Sequence, residues 1–206
     1  MSMPRITTLF LDIGGVLLTN GWDSPTRKRA VGHFKLSAEE TEERHHMIFD
    51  TFESGKMTLD AYLDYVVFYE TKPFTKDQFI RYMHEQSLPI GGSIDFFIKL
   101  KKYSDLQVIA VSNEPRELNE YRIKHYKLME LFDAVLSSSF VHMRKPDTDL
   151  FKLAIDISQA EVGSCIYVDD RRLFVEVARS LGLHGIHFKA LDEVKSKLKD
   201  LGLSTE

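Results

Sequence analysis

Five short runs of apolar residues, separated by longer segments with helical patterns, place the strongest constraint on the fold. The runs cover residues 8–11, 108–111, 134–136, 165–168 and 185–188. Short runs with almost no polar interruption are typical of strands that are buried on both faces, as in a parallel sheet covered by helices. The sequence therefore predicts an α/β fold with a doubly wound parallel sheet.

The segments after these runs carry helix signals. Asp147 precedes apolar residues at helical spacing, and Pro115 is placed to be the first residue of a helix. Gly182 follows another apolar stripe, at a position where glycine commonly ends a helix. We therefore expect helices to connect the parallel strands.

The segment between the first two runs is much longer than a simple connection, which needs roughly 10–12 residues. Within it, Ser37 with Glu40 and Thr75 with Gln78 have the spacing of a capping box, a marker of helix starts. Two further helix starts are predicted at Ser24–Pro25 and at Thr58.

We interpret this long segment as a cap domain of about four helices. The cap covers residues 18–92, and the core domain consists of residues 1–17 and 93–206. The many aromatic residues of the cap are expected to form its own hydrophobic core, with some rings facing a ligand. The pair Gly91–Gly92 is a candidate hinge.

Composition and charge exclude several classes of protein. The 206 residues are 43% hydrophobic and 28% charged, which is typical of a globular protein rather than a disordered one. The formal net charge of -4 gives no general attraction to nucleic acid or to an anionic membrane. No apolar run approaches the roughly 20 residues of a membrane-spanning helix. Cys165 is the only cysteine, so we expect a buried thiol and a cytoplasmic protein; the oligomeric state is not predicted.

Polar residues follow four of the predicted strands, and the carboxyl ends of parallel strands meet at one edge of a sheet. Each group alone has an ordinary explanation: a strand-end cap, a turn, a solvated lysine or a helix N-terminus. Their shared position at successive strand ends favours a common site. The residues are Asp12 with Gly14 and Gly15, Ser112 with Asn113, Lys145, and Asp169 with Asp170.

These residue types are what phosphoryl transfer to an aspartate requires. A carboxylate that approaches a phosphate is repelled, by about 4 kcal/mol for two unit charges at 4 Å and an effective dielectric constant near 20. A Mg²⁺ ion shared by Asp12, a backbone carbonyl and Asp170 would offset this repulsion. Lys145 would supply a second positive charge, and hydroxyl and amide groups would hold the phosphate oxygens. Asp12 would attack and form an aspartyl phosphate, which water hydrolyses.

The chain resembles the haloacid-dehalogenase superfamily of hydrolases over nearly its whole length, with four motifs in the order of that family. The long insertion is similar to the helical cap of its first structural subclass. The resemblance is strongest to the group that includes glucose-1-phosphatase-like and epoxide-hydrolase-N-terminal-like members. The motifs are residues 12–17, 112–113, 145–147 and 168–170.

The resemblance implies a Rossmann-like core, a Mg²⁺ cofactor and phosphatase activity on a small organic phosphate, for example a sugar phosphate. It implies Asp12 and Lys145 as catalytic residues. Expected phosphate-binding residues are Gly15, Ser112, Asn113 and Lys145, and expected metal ligands are Asp12, Gly14 through its carbonyl, Asp169 and Asp170.

Two positions depart from the pattern of the family. Most of its phosphatases carry a second Asp two positions after the nucleophile, as the general acid and base, where this chain has Gly14. General acid–base catalysis is typically worth 10²–10⁴-fold in rate. Phe174 stands where the family often has Asn. Histidines of the cap are the nearest groups with a pKa near neutrality, although each is more simply explained as a surface residue: His33, His45, His46 and His84.

Two other functions stay open from the sequence. The dehalogenase branch also lacks the second Asp, but it needs no metal and usually has small polar residues in place of Asp169–Asp170. A catalytically weak binding or regulatory scaffold would keep the fold, with or without the metal. For Glu114, the sequence does not decide between a contact with a substrate hydroxyl and a cap of the next helix. Arg171 and Arg172 could bind substrate, but they are more simply explained as solvated residues.

Overall fold

The computed structural model describes residues 5–204 and contains one sheet of five parallel strands. The strand order is β3-β2-β1-β4-β5, which confirms the predicted doubly wound sheet. Each strand lies within one residue of its predicted bounds at either end. The strands are β1 (Thr8–Leu11), β2 (Gln107–Ser112), β3 (Ala134–Ser137), β4 (Cys165–Asp169) and β5 (His184–His187).

The first strand lies at the centre of the sheet and explains why the runs are apolar throughout. Thr8 is in register with Gln107 of β2 on one side and with Cys165 of β4 on the other. Successive side chains of β1 point to opposite faces, and each face has its own hydrophobic cluster. Cys165 is fully buried in one of these clusters, as predicted.

Helices cover both faces of the sheet and form the insertion after β1. Four of them, α1 to α4, lie between β1 and the helix that precedes β2, as predicted. The ten α-helices among residues 5–204 are α1 (Ser24–Phe34), α2 (Ala38–Glu53), α3 (Leu59–Val66), α4 (Lys76–Glu85), α5 (Ser93–Ser104), α6 (Arg116–His125), α7 (Ser138–Val141), α8 (Thr148–Ser158), α9 (Arg172–Ser180) and α10 (Leu191–Asp200).

The four inserted helices have a hydrophobic cluster of their own. Phe52, Tyr62, Phe79 and Met83 are almost completely buried in it. The ring of Phe52 stacks on Tyr62 with 4.0 Å between centroids. Most of the aromatic residues of the insertion thus pack within it. The domain boundaries themselves stay our proposal.

The helix starts follow the sequence signals with two corrections. Thr75 and Gln78 form a complete capping box, but Ser37 caps α2 in one direction only, since Glu40 binds Arg44 instead. The prediction that Pro115 is the first residue of a helix is wrong. Pro115 is extended (φ −60°, ψ 146°) and precedes α6 as its N-cap.

Other helix signals are confirmed. Thr58 and Asp147 are the N-caps of α3 and α8, and their side chains accept from backbone N–H groups of the first turn. The helix α1 begins at Ser24, but its N-cap is Asp23, whose carboxylate accepts from Thr26 N–H at 2.9 Å.

The two segments that join the insertion to the core lie side by side. Leu18 and Pro89 form an antiparallel bridge. The side chain of Arg122, which is fully buried, donates to Thr19 O and to Ser87 Oγ, both at 2.9 Å. One guanidinium group of the core therefore holds both connections.

Further contacts join α2 to the core near the carboxyl edge of the sheet. Arg144 of the core donates to the carboxylates of Asp50 and Glu53 on α2. His142 Nδ1 lies 2.7 Å from Ser54 O, just beyond that helix. A cavity remains between the insertion and the core.

Within residues 5–204, no helix combines the length and the apolar character needed to cross a membrane.

Candidate active site

The carboxyl edge of the sheet brings the predicted polar residues together around Asp12, which directly follows β1. Asp12 Oδ1 accepts from Ile13 N–H at 2.8 Å and from Ser112 Oγ at 2.6 Å. Asp12 Oδ2 lies 3.0 Å from Lys145 Nζ. These three donors come from three separate segments and fix the orientation of the carboxylate.

Lys145 is the fixed cation of the site. Its ammonium group is fully buried and lies 2.7 Å from Asp169 Oδ2 and 3.0 Å from Val111 O. Burial opposes the charge of this lysine, but Asp12 and Asp169 outweigh burial and raise the pKa of Lys145. Lys145 is therefore charged at neutral pH and can neutralise an anion beside Asp12.

The surroundings of Asp12 disfavour the ionised form of its carboxyl group. The pKa of Asp12 is raised to about 7, because burial and, to a lesser extent, Asp169 outweigh the lowering effect of Lys145. An additional cation at the site would favour the ionised carboxylate, which is the nucleophilic form.

A second carboxylate, from Asp170, has one oxygen without a protein partner. Its Oδ2 accepts from Asn20 Nδ2 at 2.9 Å, whereas its Oδ1 is buried and has no hydrogen-bond partner in the described part of the chain. Ligand oxygens of Asp12, Asp169 and Asp170 lie within 4.8 Å of one another. Such a group of carboxylates suits a hard divalent cation such as Mg²⁺.

Asp169 is bonded differently from its neighbour, since both of its oxygens have protein partners. Oδ2 accepts from Lys145 Nζ and from Tyr167 O–H, and Oδ1 accepts from Arg171 N–H at 2.7 Å. Asp169 therefore anchors Lys145 in this structure. Its role as a direct metal ligand stays a prediction.

Gly15 leaves room for the carboxylate of Asp170. It has a positive φ of 72°, and a Cβ atom there would lie 2.2 Å from Asp170 Cγ. Its N–H donates to Leu18 O at 2.7 Å, within its own loop. A contact of Gly15 with substrate stays a prediction, and what the structure shows is the space it provides.

Asn113 braces the loop that carries Lys145. Its Nδ2 donates to Lys145 O at 2.9 Å, and its Oδ1 accepts from Lys145 N–H at 2.8 Å. This pair of hydrogen bonds holds the backbone of the lysine in place. A direct contact of Asn113 with phosphate stays a prediction.

A cavity of about 340 Å³ lies over Asp12, between the core and the inserted helices. It is lined by Asn113, by Arg171 and other charged residues, and by several apolar side chains. Phe174, which replaces the Asn common in the resembling family, lines the cavity, and its ring centroid lies 5.1 Å from Lys145 Nζ. The apolar lining consists of Trp22, Phe49, Phe52, Pro115, Leu118 and Phe174.

Comparison with known proteins agrees with this geometry. The sequence matches the family described as haloacid dehalogenase-like hydrolase over residues 26–188, which is more than half of the chain. The chain belongs to the haloacid dehalogenase-like hydrolase family. The resemblance stated from the four motifs is thereby confirmed.

Three curated proteins are relatives of this hydrolase. Drimenol cyclase drtB of Aspergillus calidoustus is 27% identical over 95% of this chain and 36% of its own length. Flavin mononucleotide hydrolase 1 of Arabidopsis thaliana is 29% identical over 48% of this chain and 40% of its own length. Sesquiterpene phosphatase astK of Aspergillus oryzae is 29% identical over 42% of this chain and 44% of its own length. The matches thus span less than half of each relative.

Solved structures share the fold of this hydrolase. A HAD family enzyme of Bacteroides thetaiotaomicron has a TM-score of 0.81 at 20% identity, covering 95% of this chain and 99% of that one. Its complex with magnesium and inorganic phosphate has a TM-score of 0.74 at 22% identity, with 90% and 96% covered. An L-2-haloacid dehalogenase of Xanthobacter autotrophicus has a TM-score of 0.61 at 13% identity, with 95% and 83% covered.

One histidine of the cap has a defined place in the cavity of the hydrolase. His45 is buried, and its Nδ1 lies 2.8 Å from the hydroxyl of Tyr62, which accepts from Trp22 Nε1 at 2.9 Å. Because Trp22 can only donate, the Tyr62 hydroxyl has its own proton to donate to Nδ1, which places the imidazole proton on Nε2. No residue between 5 and 204 is hydrogen-bonded to that Nε2.

The other cap histidines differ in position. His46 also lines the cavity, but its side chain is 67% exposed. His33 stacks on Tyr82, and His84 stacks on Tyr121 of α6. Burial, with a smaller contribution from Arg27, lowers the pKa of His45 to about 4. The suggestion that a charged cap histidine replaces the missing acid therefore has no support from His45, which is neutral at pH 7.

Several residues of this site were missed from the sequence. Asn20 holds Asp170, and Trp22 with Tyr62 orients His45, yet none of them stands in a recognisable motif. Glu114, whose role the sequence left open, neither caps α6 nor faces solvent. Its carboxylate is buried and bonded to Arg122, a residue whose place in a polar helix segment predicts exposure.

Proposed function

We propose that this hydrolase is a Mg²⁺-dependent phosphatase that cleaves a small organic phosphate monoester through an aspartyl-phosphate intermediate. The observation that carries the proposal is the arrangement of Asp12, Lys145 and Asp170 at the carboxyl edge of the sheet. The carboxylate of Asp12 is fixed beside a buried ammonium group, and the unpartnered Oδ1 of Asp170 lies in the same group of carboxylates.

Magnesium fits the residues present, since hard oxygen ligands are grouped and one of them has no protein partner. Asp12, Asp170 and the carbonyl of Gly14 would hold it, with Asp169 as a further candidate. When bound, the ion supplies positive charge that reduces the repulsion between Asp12 and a phosphate.

The side chains of the protein have separate tasks in this reaction. Asp12 attacks phosphorus while Ser112 and Ile13 N–H hold its Oδ1 in place. Lys145 stabilises the charge of the phosphoryl group as it transfers. Asn113 and Asp169 keep the lysine at the site. Water then cleaves the acyl phosphate and restores Asp12.

The cavity limits the substrate to a small leaving group. A volume of about 340 Å³, with several apolar side chains in the lining, suits a leaving group the size of a sugar or of a small aromatic alcohol. Two relatives, the flavin mononucleotide hydrolase and the sesquiterpene phosphatase, support a phosphate ester as the substrate class. We also propose that residues 18–92 act as the cap domain that supplies the outer wall of this cavity.

The test is a steady-state screen of p-nitrophenyl phosphate and small sugar phosphates, with Mg²⁺ and with EDTA. We expect hydrolysis that needs Mg²⁺ and that is abolished in Asp12→Asn with its circular dichroism unchanged. Asp149→Asn is a matched control, because this exposed carboxylate lies on α8 away from the cavity. Full activity in EDTA, or in Asp12→Asn, contradicts the proposal. Release of halide from 2-haloacids in EDTA would instead show the dehalogenase reaction.

A further inference from the structure

The leaving group of a phosphate ester needs a proton source, and position 14 has no side chain to give one. A phosphoryl group on Asp12 directs its leaving group away from the carboxylate, into the cavity between core and cap. A proton donor must therefore line that cavity, carry a free oxygen or nitrogen, and be able to exist in a protonated form.

Glu114 meets the geometric requirements. It lines the same cavity as Asp12, and it is only 6% exposed. One carboxylate oxygen, Oε1, binds Arg122, while Oε2 has no hydrogen-bond partner among the described residues. A Cβ atom added to Gly14 would lie 3.4 Å from Glu114 Oε1, so this carboxylate occupies the space beside the missing side chain.

The backbone of Glu114 is held as firmly as the residues of the motifs. Its N–H donates to Ser138 Oγ at 3.0 Å, and its carbonyl accepts from Ser137 Oγ at 3.2 Å. The residue follows β2 directly after Ser112 and Asn113, so the same strand end places a ligand of Asp12 and this carboxylate. Burial raises the pKa of Glu114, against the opposing effect of Arg122, which favours a carboxyl group able to hold a proton.

The other titratable groups that line the cavity are less suited. His46 is mostly exposed to solvent, and its Nδ1 lies 2.6 Å from Glu42 O on its own helix. Asp23 caps α1, Asp170 belongs to the metal-binding group, and His45 is neutral at pH 7. Glu53, whose pKa burial also raises, is bonded to Arg144. It lies at the end of α2 in the inserted helices rather than at the end of β2. It is therefore the rival to be tested.

We propose that Glu114 is the general acid and base of this hydrolase, in place of the side chain that Gly14 lacks; this inference rests on the proposed function. In the first step, the carboxylate of Asp12 forms a bond to phosphorus as the ester P–O bond breaks. The leaving alcohol oxygen takes the proton of the Glu114 carboxyl group. In the second step, water gives a proton to the Glu114 carboxylate and attacks phosphorus. The bond to Asp12 breaks, and inorganic phosphate leaves with Asp12 and Glu114 in their starting states.

The test compares an alkyl ester with an aryl ester. Glycerol phosphate has a poor leaving group that needs a proton, whereas p-nitrophenolate leaves without one. We expect Glu114→Gln, which keeps an oxygen for Arg122, to lower the rate with glycerol phosphate by about 100-fold or more. With p-nitrophenyl phosphate the first step stays fast, but water attack loses its base. Nitrophenol should therefore appear as a burst of one equivalent per active site, followed by slow turnover.

Matched variants keep the inference falsifiable. Glu114→Asp retains a carboxyl group and should recover part of the rate with the alkyl ester, even if Glu114→Gln lowers the melting temperature. Glu120→Gln changes an exposed carboxylate of α6 that lies outside the cavity lining, and it should behave as the parent protein. If Glu114→Gln lowers both rates equally without a burst, or lowers neither, the inference is wrong. If the loss selective for the alkyl ester appears in Glu53→Gln instead, it is also wrong. A parent protein that hydrolyses no ester refutes the proposed function itself, together with this inference.

Discussion

His45 makes a pH-dependent contribution to stability whose sign follows from its burial. Burial lowers the pKa of His45 to about 4 in the folded protein, and Arg27 adds to this effect. In the unfolded chain a histidine has a pKa of about 6.5. Protons are therefore bound first by the unfolded state, and stability is lost as the pH falls from about 6.5 toward 4.

The difference in pKa sets the size of this loss. A lowering by about 2.5 units makes the free energy of unfolding smaller by about 2 kcal/mol at pH 5 than at pH 7. Because the ring of His45 borders the cavity and keeps contact with solvent, we discount this to about 1 kcal/mol. For a protein of this size, 1 kcal/mol corresponds to roughly 2–4 °C in melting temperature.

The assay is thermal unfolding of the parent protein and of His45→Asn between pH 7.5 and 4.5, without metal. The Oδ1 atom of the asparagine can accept from the Tyr62 hydroxyl in place of Nδ1, so the variant removes the titration and keeps that hydrogen bond. We expect its melting temperature to fall by roughly 2–4 °C less than that of the parent protein on going from pH 7 to pH 5.

The comparison isolates His45 from the other titrating groups. Buried carboxyl groups with a raised pKa, such as Asp12 and Glu114, favour the folded state as the pH falls, and they do so in both proteins. His46→Asn changes the exposed neighbouring histidine and should follow the parent curve. Parallel curves for His45→Asn and the parent protein, or a steeper fall for the variant, would refute a neutral His45.

Two further predictions concern the glycines after Asp12. In Gly15→Ala, a methyl group 2.2 Å from Asp170 Cγ must displace that carboxylate, so we expect the Mg²⁺ concentration for half-maximal activity to rise about 10- to 100-fold; an unchanged Mg²⁺ titration would contradict this. In Gly14→Asp, the new Cβ would lie 2.6 Å from Asn20 Oδ1, so Asn20, which holds Asp170, must move, and we expect lower kcat/KM with every ester. A gain of activity in this variant would contradict the expectation and show that Asn20 moves freely.

The sheet and its functional edge were predictable because their signals are local. A strand buried on both faces must be apolar along its length, which is why all five runs were found within one residue. Asp12, Lys145 and Asp170 directly follow strands or precede helices, so their meeting at one edge follows from the parallel order. The helix starts at Thr58, Thr75 and Asp147 follow from capping chemistry within three residues of sequence.

The parts that depend on contacts between distant segments could not be predicted. Arg122 and Glu114 are charged residues that are buried as an ion pair. Arg122 also binds the segments that connect the inserted helices to the core. His45 is one of four histidines in the inserted helices. The residues next to it in the sequence do not show that it is the one that Tyr62 orients. Pro115 is extended and precedes α6, and its neighbour Glu114 donates its N–H to Ser138 of α7, a contact between distant segments that the local sequence does not show.

The central place of β1 has a consequence for how the chain assembles during synthesis. Its two partners, β2 and β4, begin at Gln107 and Cys165, so they leave the ribosome long after Leu11 does. At roughly 5–20 residues per second, β1 waits about 5–20 s for its first partner. Meanwhile the inserted helices already have every member of their own hydrophobic cluster. We expect the inserted helices to bury their apolar residues first on the emerging chain, and the candidate active site, which includes Asp170, to be completed among the last.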